Sequence, residues 1–219
     1  MIAIVEVGAK RAFASAVDWP GWTRAGRDEQ GALEALAAYR SRYEPIAAAA
    51  GLALPGPISP DRWEVSERLA GAAGTDFGAP GASAEGDRRP TSRDEAARFA
   101  AILAAAWEAF DRISDAASET LRKGPRGGGR DRTAVVQHVL ECDVGYYARR
   151  LGIRVKIPAL DDRIAISEAR AAMLSVLRQP SDGAPVAERG WSQRFAARYI
   201  TWHVLDHAWE IEDRTERPG

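Results

Sequence analysis

The sequence predicts an α+β protein in which a small mixed module precedes a bundle of four helices. Three observations predict it. Strand-like runs and turn signals crowd the first part of the chain. Residues 71–92, GAAGTDFGAPGASAEGDRRPTS, are rich in Gly, Ala, Pro and Ser and almost free of apolar anchors, which reads as a linker. Beyond it, apolar residues recur at helical spacing over four long stretches. So long a structureless stretch is unusual inside a compact domain. The chain therefore divides into a module over residues 1–72, a linker over 73–92 and a bundle over 93–216.

The first strand is expected over Ile2–Val7, followed by a Gly8-Ala9-Lys10 turn signal. A second runs from Arg11 to about Val17, with Ala12, Ala14 and Ala16 on one face and Phe13 on the other. The stretch DWPGWTRAGRD is turn-rich, broken by Pro20-Gly21. A helix follows from an Asp28 N-cap, with Leu33, Leu36, Tyr39 and Tyr43 forming its apolar stripe. Gly51 closes it unless Pro45 ends or kinks it earlier. After the PGPISP turn, DRWEVSERLAG alternates Trp63, Val65 and Leu69 with charged neighbours and reads as another strand.

The first bundle helix is expected from a Thr91 or Ser92 cap to about Lys123, with Asp94 and Glu95 in its first turn and Phe99, Ile102, Leu103, Ala106, Phe110 and Ile113 on its apolar face. KGPRGGGRD ends it. The second covers about Arg132 to Leu151, stopped by Gly152, and IRVKIPALDD after it is extended. The third spans about Asp162 to Leu177, and the fourth about Trp191 to Arg214. A four-helix bundle is the economical arrangement for these.

Thirty basic against 31 acidic residues give a net charge of -1, so no electrostatic case for nucleic acid or an anionic membrane arises. Glu6 interrupts the short apolar start, and no basic region precedes it, which argues against a secretory signal. The most apolar window, FAAILAAAWEAF, is too short to span a bilayer. A single cysteine, Cys142, excludes an internal disulfide and fits a reducing compartment. A soluble cytoplasmic protein is expected.

The chain has three histidines. His203 and His207 lie four residues apart in RYITWHVLDHAWEIEDR, so one helix face carries both, with Cβ atoms about 5–6 Å apart. Tyr199 and Glu210 share that stripe and Asp206 lies at its edge. His138, in RTAVVQHVLECD, falls on a stripe with Val135, Glu141 or Cys142, and Gly145. Sites in bundles are built from inward side chains on facing helices. Three protein ligands with one open position are the pattern of a catalytic zinc site. Each motif also has a plain reading, since a single histidine or an H-x-x-x-H pair on a helix can simply belong to core or surface. Glu141, one turn past His138, is a candidate general base or an orienting partner for an imidazole, or an exposed helix residue. Asp206 and Glu210 can hold free imidazole N–H groups or face solvent. Cys142 has carboxylates for neighbours, which disfavours a nucleophilic thiol.

The histidine midway along the second helix, with H-x-x-x-H inside the aromatic and acidic WHVLDHAWEIEDR, resembles the DinB/YfiT-like superfamily of metal-dependent four-helix bundles. The resemblance covers roughly residues 91–214. It implies that His138, His203 and His207 bind a divalent ion, zinc or nickel. It also implies thiol-dependent S-transfer or isomerisation with a low-molecular-weight thiol cosubstrate as one activity of such proteins. Three imidazoles leave the ion its full charge, and zinc can bring the pKa of bound water to about 7. A metal-dependent hydrolase is the rival reading of the same site. A non-enzymatic regulatory protein is the other.

The N-terminal stretch AFASAVDWPGWTRAGRDEQGALEALAAYRSRY is similar to the HicB-like antitoxin fold, a β-β-α-β module, over about residues 2–50. With no helix-turn-helix or ribbon-helix-helix evident, a module that packs on the bundle or helps it dimerise is expected. A small-molecule substrate is the expected partner, without nucleic acid or membrane, and a homodimer is compatible with such a bundle.

Overall fold

The computed structural model describes residues 1–56, 59–123 and 129–215. Parts of the expected PGPISP and KGPRGGGRD breakers, and residue 216 of the expected bundle, lie outside these. The protein is mixed α+β. Strands β1 (Ile2–Val7), β2 (Ala12–Ala16), β3 (Thr23–Gly26) and β4 (Glu64–Ala70) form one sheet in the order β3-β2-β1-β4. β1 and β2 pair antiparallel, with Val5 opposite Ala14, and Gly8 N–H donates to the Arg11 carbonyl at 2.9 Å to close their turn. β1 and β4 pair in parallel. Parallel neighbours need a long crossover, which α1 (Glu29–Ala38) and α2 (Arg40–Ala49) supply.

β3 is an addition to the β-β-α-β expectation. Its four residues, TRAG, carry no apolar alternation. Pairing with β2 from Thr23 opposite Ser15 to Gly26 opposite Ala12 makes them a strand. The helix expected from Asp28 starts there, with Gly31 N–H donating to Asp28 Oδ1 at 2.8 Å, but is interrupted at Tyr39, where ψ is 1°. Pro45 then sits inside α2, where it has no N–H to offer the Ser41 carbonyl. Gly51, at φ +74°, ends the helix in the left-handed region that favours glycine.

Helix α3 (Ala73–Phe77) and a 3-10 turn over Glu85–Arg88 occupy the stretch expected as a linker. The segment is a packed strap. Buried Glu6 accepts from Ala82 N–H at 2.9 Å and from the Thr75 hydroxyl. Glu67 accepts from the backbone N–H of Glu85 and Gly86 at 2.7 and 2.8 Å. Asp87 and Arg198, both buried, pair at 2.5 Å. Composition conceals this because the anchors are carboxylates and backbone amides, not apolar side chains.

The long helices are α4 (Arg93–Ala116), α5 (Arg132–Leu140) continued by a π-helical turn (Glu141–Tyr147) into α6 (Ala148–Arg150), α7 (Arg163–Leu177) and α8 (Gln193–Arg214). A capping box starts α4: Glu95 N–H donates to Ser92 Oγ at 3.2 Å and Ser92 N–H to Glu95 Oε2 at 3.0 Å. α4 stops at Ala116, short of the expected Lys123. The chain turns there so that Glu119 can accept from the Thr133 N–H and hydroxyl and from Arg132, capping the start of α5.

α4 packs along α8 and α7, and α5 packs on α8. One apolar core runs through both halves, joining Val5, Trp22 and Leu36 to Ile102, Phe110, Met173 and Leu205. The expected boundary at 73–92 is thus not a gap in packing. Gly21, at φ +87°, lies so close to α8 that a Cβ would meet Thr201 Cγ2 at 2.5 Å. Among the described residues, no helix is long and apolar enough to cross a membrane.

Candidate metal centre

Helix α8 carries buried residues on most of its circumference, because it is covered by α4, α5 and the strap. His203 is consequently 6% exposed, while His207, one turn on, is half-buried. His138 reaches the same place from α5, and the three imidazoles converge. Their ring centroids are 5.2 Å (His138–His203), 5.0 Å (His138–His207) and 4.7 Å (His203–His207) apart. The Nε2 atoms of His138 and His203 are 3.3 Å apart.

Cys142 joins them from the π-helical turn, its Sγ 3.8 Å from both ring nitrogens of His138. One donor atom from each of His138, Cys142 and His203 lies within 4.8 Å of the others, an arrangement that can hold a metal ion. His207 packs its ring against both other histidines, while its Nδ1 is 2.7 Å from Glu210 Oε2. Glu210 in turn accepts from Arg214 at 2.9 Å, and Arg214 Nε donates to the Arg122 carbonyl at 2.7 Å. The bond to His207, above all, holds the Glu210 carboxyl below its ordinary range. This chain of bonds fixes which nitrogen of His207 is left to face the cluster.

Burial keeps the imidazoles of His138 and His203 uncharged. It pushes His138 down to about 4, with Arg130 acting in the same direction, and pushes His203 well below the ordinary value, with the other two histidines acting likewise. Both therefore offer lone pairs at neutral pH, which a cation requires. A tetrahedral zinc ion with bonds of about 2.0–2.1 Å separates its nitrogen ligands by about 3.3–3.4 Å, and the observed Nε2–Nε2 distance is 3.3 Å. His203 Nδ1 is buried with no hydrogen-bond partner. The donor set and its spacing fit a transition-metal ion.

Glu141 takes no part. It is exposed and accepts from Gln137 Nε2 at 2.8 Å, so the expected general base points away from the histidines. Of the two residues one turn past His138, Cys142 is the one the helix turns inward. Asp206 is also drawn elsewhere, to Arg24 of β3 at 3.0 Å. Tyr147 packs edge-on against His203 with centroids 5.3 Å apart, Tyr199 packs on Tyr147 at 5.7 Å, and Trp202 lies 6.1 Å from His203. Together they make the wall beside the centre aromatic.

Sequence reasoning does not single out Asp143. It is fully enclosed, accepting from Trp107 Nε1 at 2.8 Å through Oδ2, while Oδ1 has no partner. Burial raises its carboxyl to about 7, against the opposing pull of Arg170. Burial likewise raises the Cys142 thiol. No spacing rule separates Asp143 from its exposed neighbour Glu141, because the π-helical turn departs from the 3.6-residue period on which such rules rest. A cavity of about 380 Å³, lined by Ile2, Ile4, Glu67, Phe99 and Arg198 among others, opens at the seam between sheet and α8 and is separate from the histidines.

Compared with known proteins, the chain matches no family model, no curated protein and no solved structure.

Proposed function

We propose that the protein is a divalent-metal-dependent enzyme of the DinB-like kind, with the cation held in the cluster of His138, His203 and His207. The observation that carries this is the convergence of three imidazoles from two helices, with ring centroids 4.7–5.2 Å apart. Zinc or nickel suits such a nitrogen-rich set. When bound, the cation supplies the positive charge that lowers the pKa of a water or small thiol and polarises an electrophile. The protein's own residues do the rest. Burial of His203 and packing of His138 hold two donors in place before any ion arrives. Glu210 orients His207 through Nδ1, and Arg214 orients Glu210. Tyr147, Tyr199 and Trp202 shape an apolar wall that favours a substrate with an apolar body and helps to exclude water. A thiol-dependent S-transferase using a low-molecular-weight thiol cosubstrate is the favoured activity.

Elemental analysis of the purified protein tests the reading. About one zinc or nickel ion per chain is expected, lost in His138→Ala and His203→Ala. Metal retained at the parent level in both variants would remove its basis. Glu210→Gln is expected to weaken metal affinity about 10- to 100-fold where His207 is a ligand, the usual effect of removing a partner that orients one, and to leave it unchanged where the His207 ring only packs alongside. Turnover of an electrophile that requires added thiol supports the transferase, and turnover without thiol assigns a hydrolase instead.

A further inference from the structure

Cys142 is the only cysteine in the chain, and the structure sets it among nitrogen donors. Among the described residues, the donor atoms that come within 4.8 Å of one another are those of His138, Cys142 and His203. His207 is not a member of that group. The π-helical turn begins at Glu141; such wide turns concentrate at functional sites, and this one sets Cys142 beneath His138.

A tetrahedral ion with metal–nitrogen bonds of about 2.0–2.1 Å and a metal–sulfur bond of about 2.3 Å sets nitrogen and sulfur about 3.6 Å apart. The observed separation is 3.8 Å, about 0.2 Å longer. A second observation is independent of the thiol. His203 is 6% exposed, and its Nδ1 has no hydrogen-bond partner. With no partner at Nδ1, the ring can present its lone pair at Nε2, 3.3 Å from the Nε2 of His138.

We infer that Cys142 is a direct sulfur ligand of the cation, completing a set of two nitrogens and one sulfur with His138 and His203 while His207 packs alongside. The inference rests on the metal-dependent reading above and specifies which donors serve it. Binding exchanges the thiol proton for the cation: one sulfur–metal bond forms, one proton passes to solvent, and nothing is oxidised or reduced. A thiolate also tilts the site toward zinc, nickel or cobalt and away from magnesium or calcium. Three protein donors leave a position open for substrate.

Cobalt(II) titrated into metal-free protein reads the donor set directly, because thiolate ligation produces an intense near-ultraviolet charge-transfer band that imidazole ligation lacks. The parent is expected to bind about one cobalt per chain with this band, as three protein donors in one group hold a single ion. His207→Ala is expected to keep both ion and band, and Cys142→Ser to lose the band. Alkylation of Cys142 by iodoacetamide in the unmodified protein is expected to slow at least about tenfold at saturating zinc, because the sulfur lone pair is then committed. Cobalt bound without the band, or alkylation unaffected by zinc, overturns the inference and leaves a three-histidine site standing. No cobalt bound by the parent overturns the metal-dependent reading with it.

Discussion

Asp143 shows at the scale of one residue how burial and charge trade against each other. Its carboxyl has Trp107 as its hydrogen-bond donor, and Arg170 acts on it electrostatically. Desolvation outweighs both and raises the group from 3.8 to about 7. For an acid raised in this way the native state binds the extra proton. Stability is therefore unaffected below about 4 and falls as pH climbs toward 7. Asp143→Asn keeps an acceptor for Trp107 and cannot ionise. Urea unfolding at pH 4 and pH 8 should show the parent losing at least about 2 kcal/mol more than the variant between the two. Equal losses would mean that the carboxyl is not enclosed as described. Glu95 has the opposite sign. The Arg194 hydrogen bond holds it at about 2, below the ordinary 4.5, so its contribution is present above about 4.5 and fades as pH falls toward 2.

At the scale of elements, the starts of helices carry much of the specification. Ser92 and Glu95 satisfy each other's backbone N–H groups at the head of α4. Ser92→Ala is expected to lower stability by about 1 kcal/mol, measured by chemical denaturation. A change below a few tenths would show that the cap is redundant with the Arg194 contacts. This cap and the Asp28 cap are legible in the sequence because a capping signature depends only on residues three apart. β3 and the end of α4 are not. TRAG becomes a strand only because β2 presents an edge to it, and residues 117–123 leave the helix because Glu119 is needed at the head of α5. Pairing and capping across the chain override local propensity at both.

At the scale of the whole molecule, the buried pair of Asp87 and Arg198 ties the strap to α8 in the middle of a continuous core. Removing one partner leaves an uncompensated buried charge, so Asp87→Ala should cost about 3–5 kcal/mol. Thermal unfolding followed by tryptophan fluorescence and by far-ultraviolet circular dichroism should give one coincident transition, as expected when sheet and helices share a core. Two separated transitions would mean that the module and the bundle are independent after all.

The amino-acid sequence alone determined the helical runs, the first strands, the near-neutral charge balance and the placing of His203 and His207 on one helix face. The elements and the histidine pair depend on residues a few positions apart, where backbone geometry converts spacing directly into proximity. Packing was needed to bring His138 within 3.3 Å of His203, to turn Cys142 rather than Glu141 toward them, and to make a glycine- and alanine-rich stretch a strap with buried carboxylates. Those outcomes depend on which elements share a core and on one turn of helix wound wider than the rest. Neither has a periodic signature in the chain.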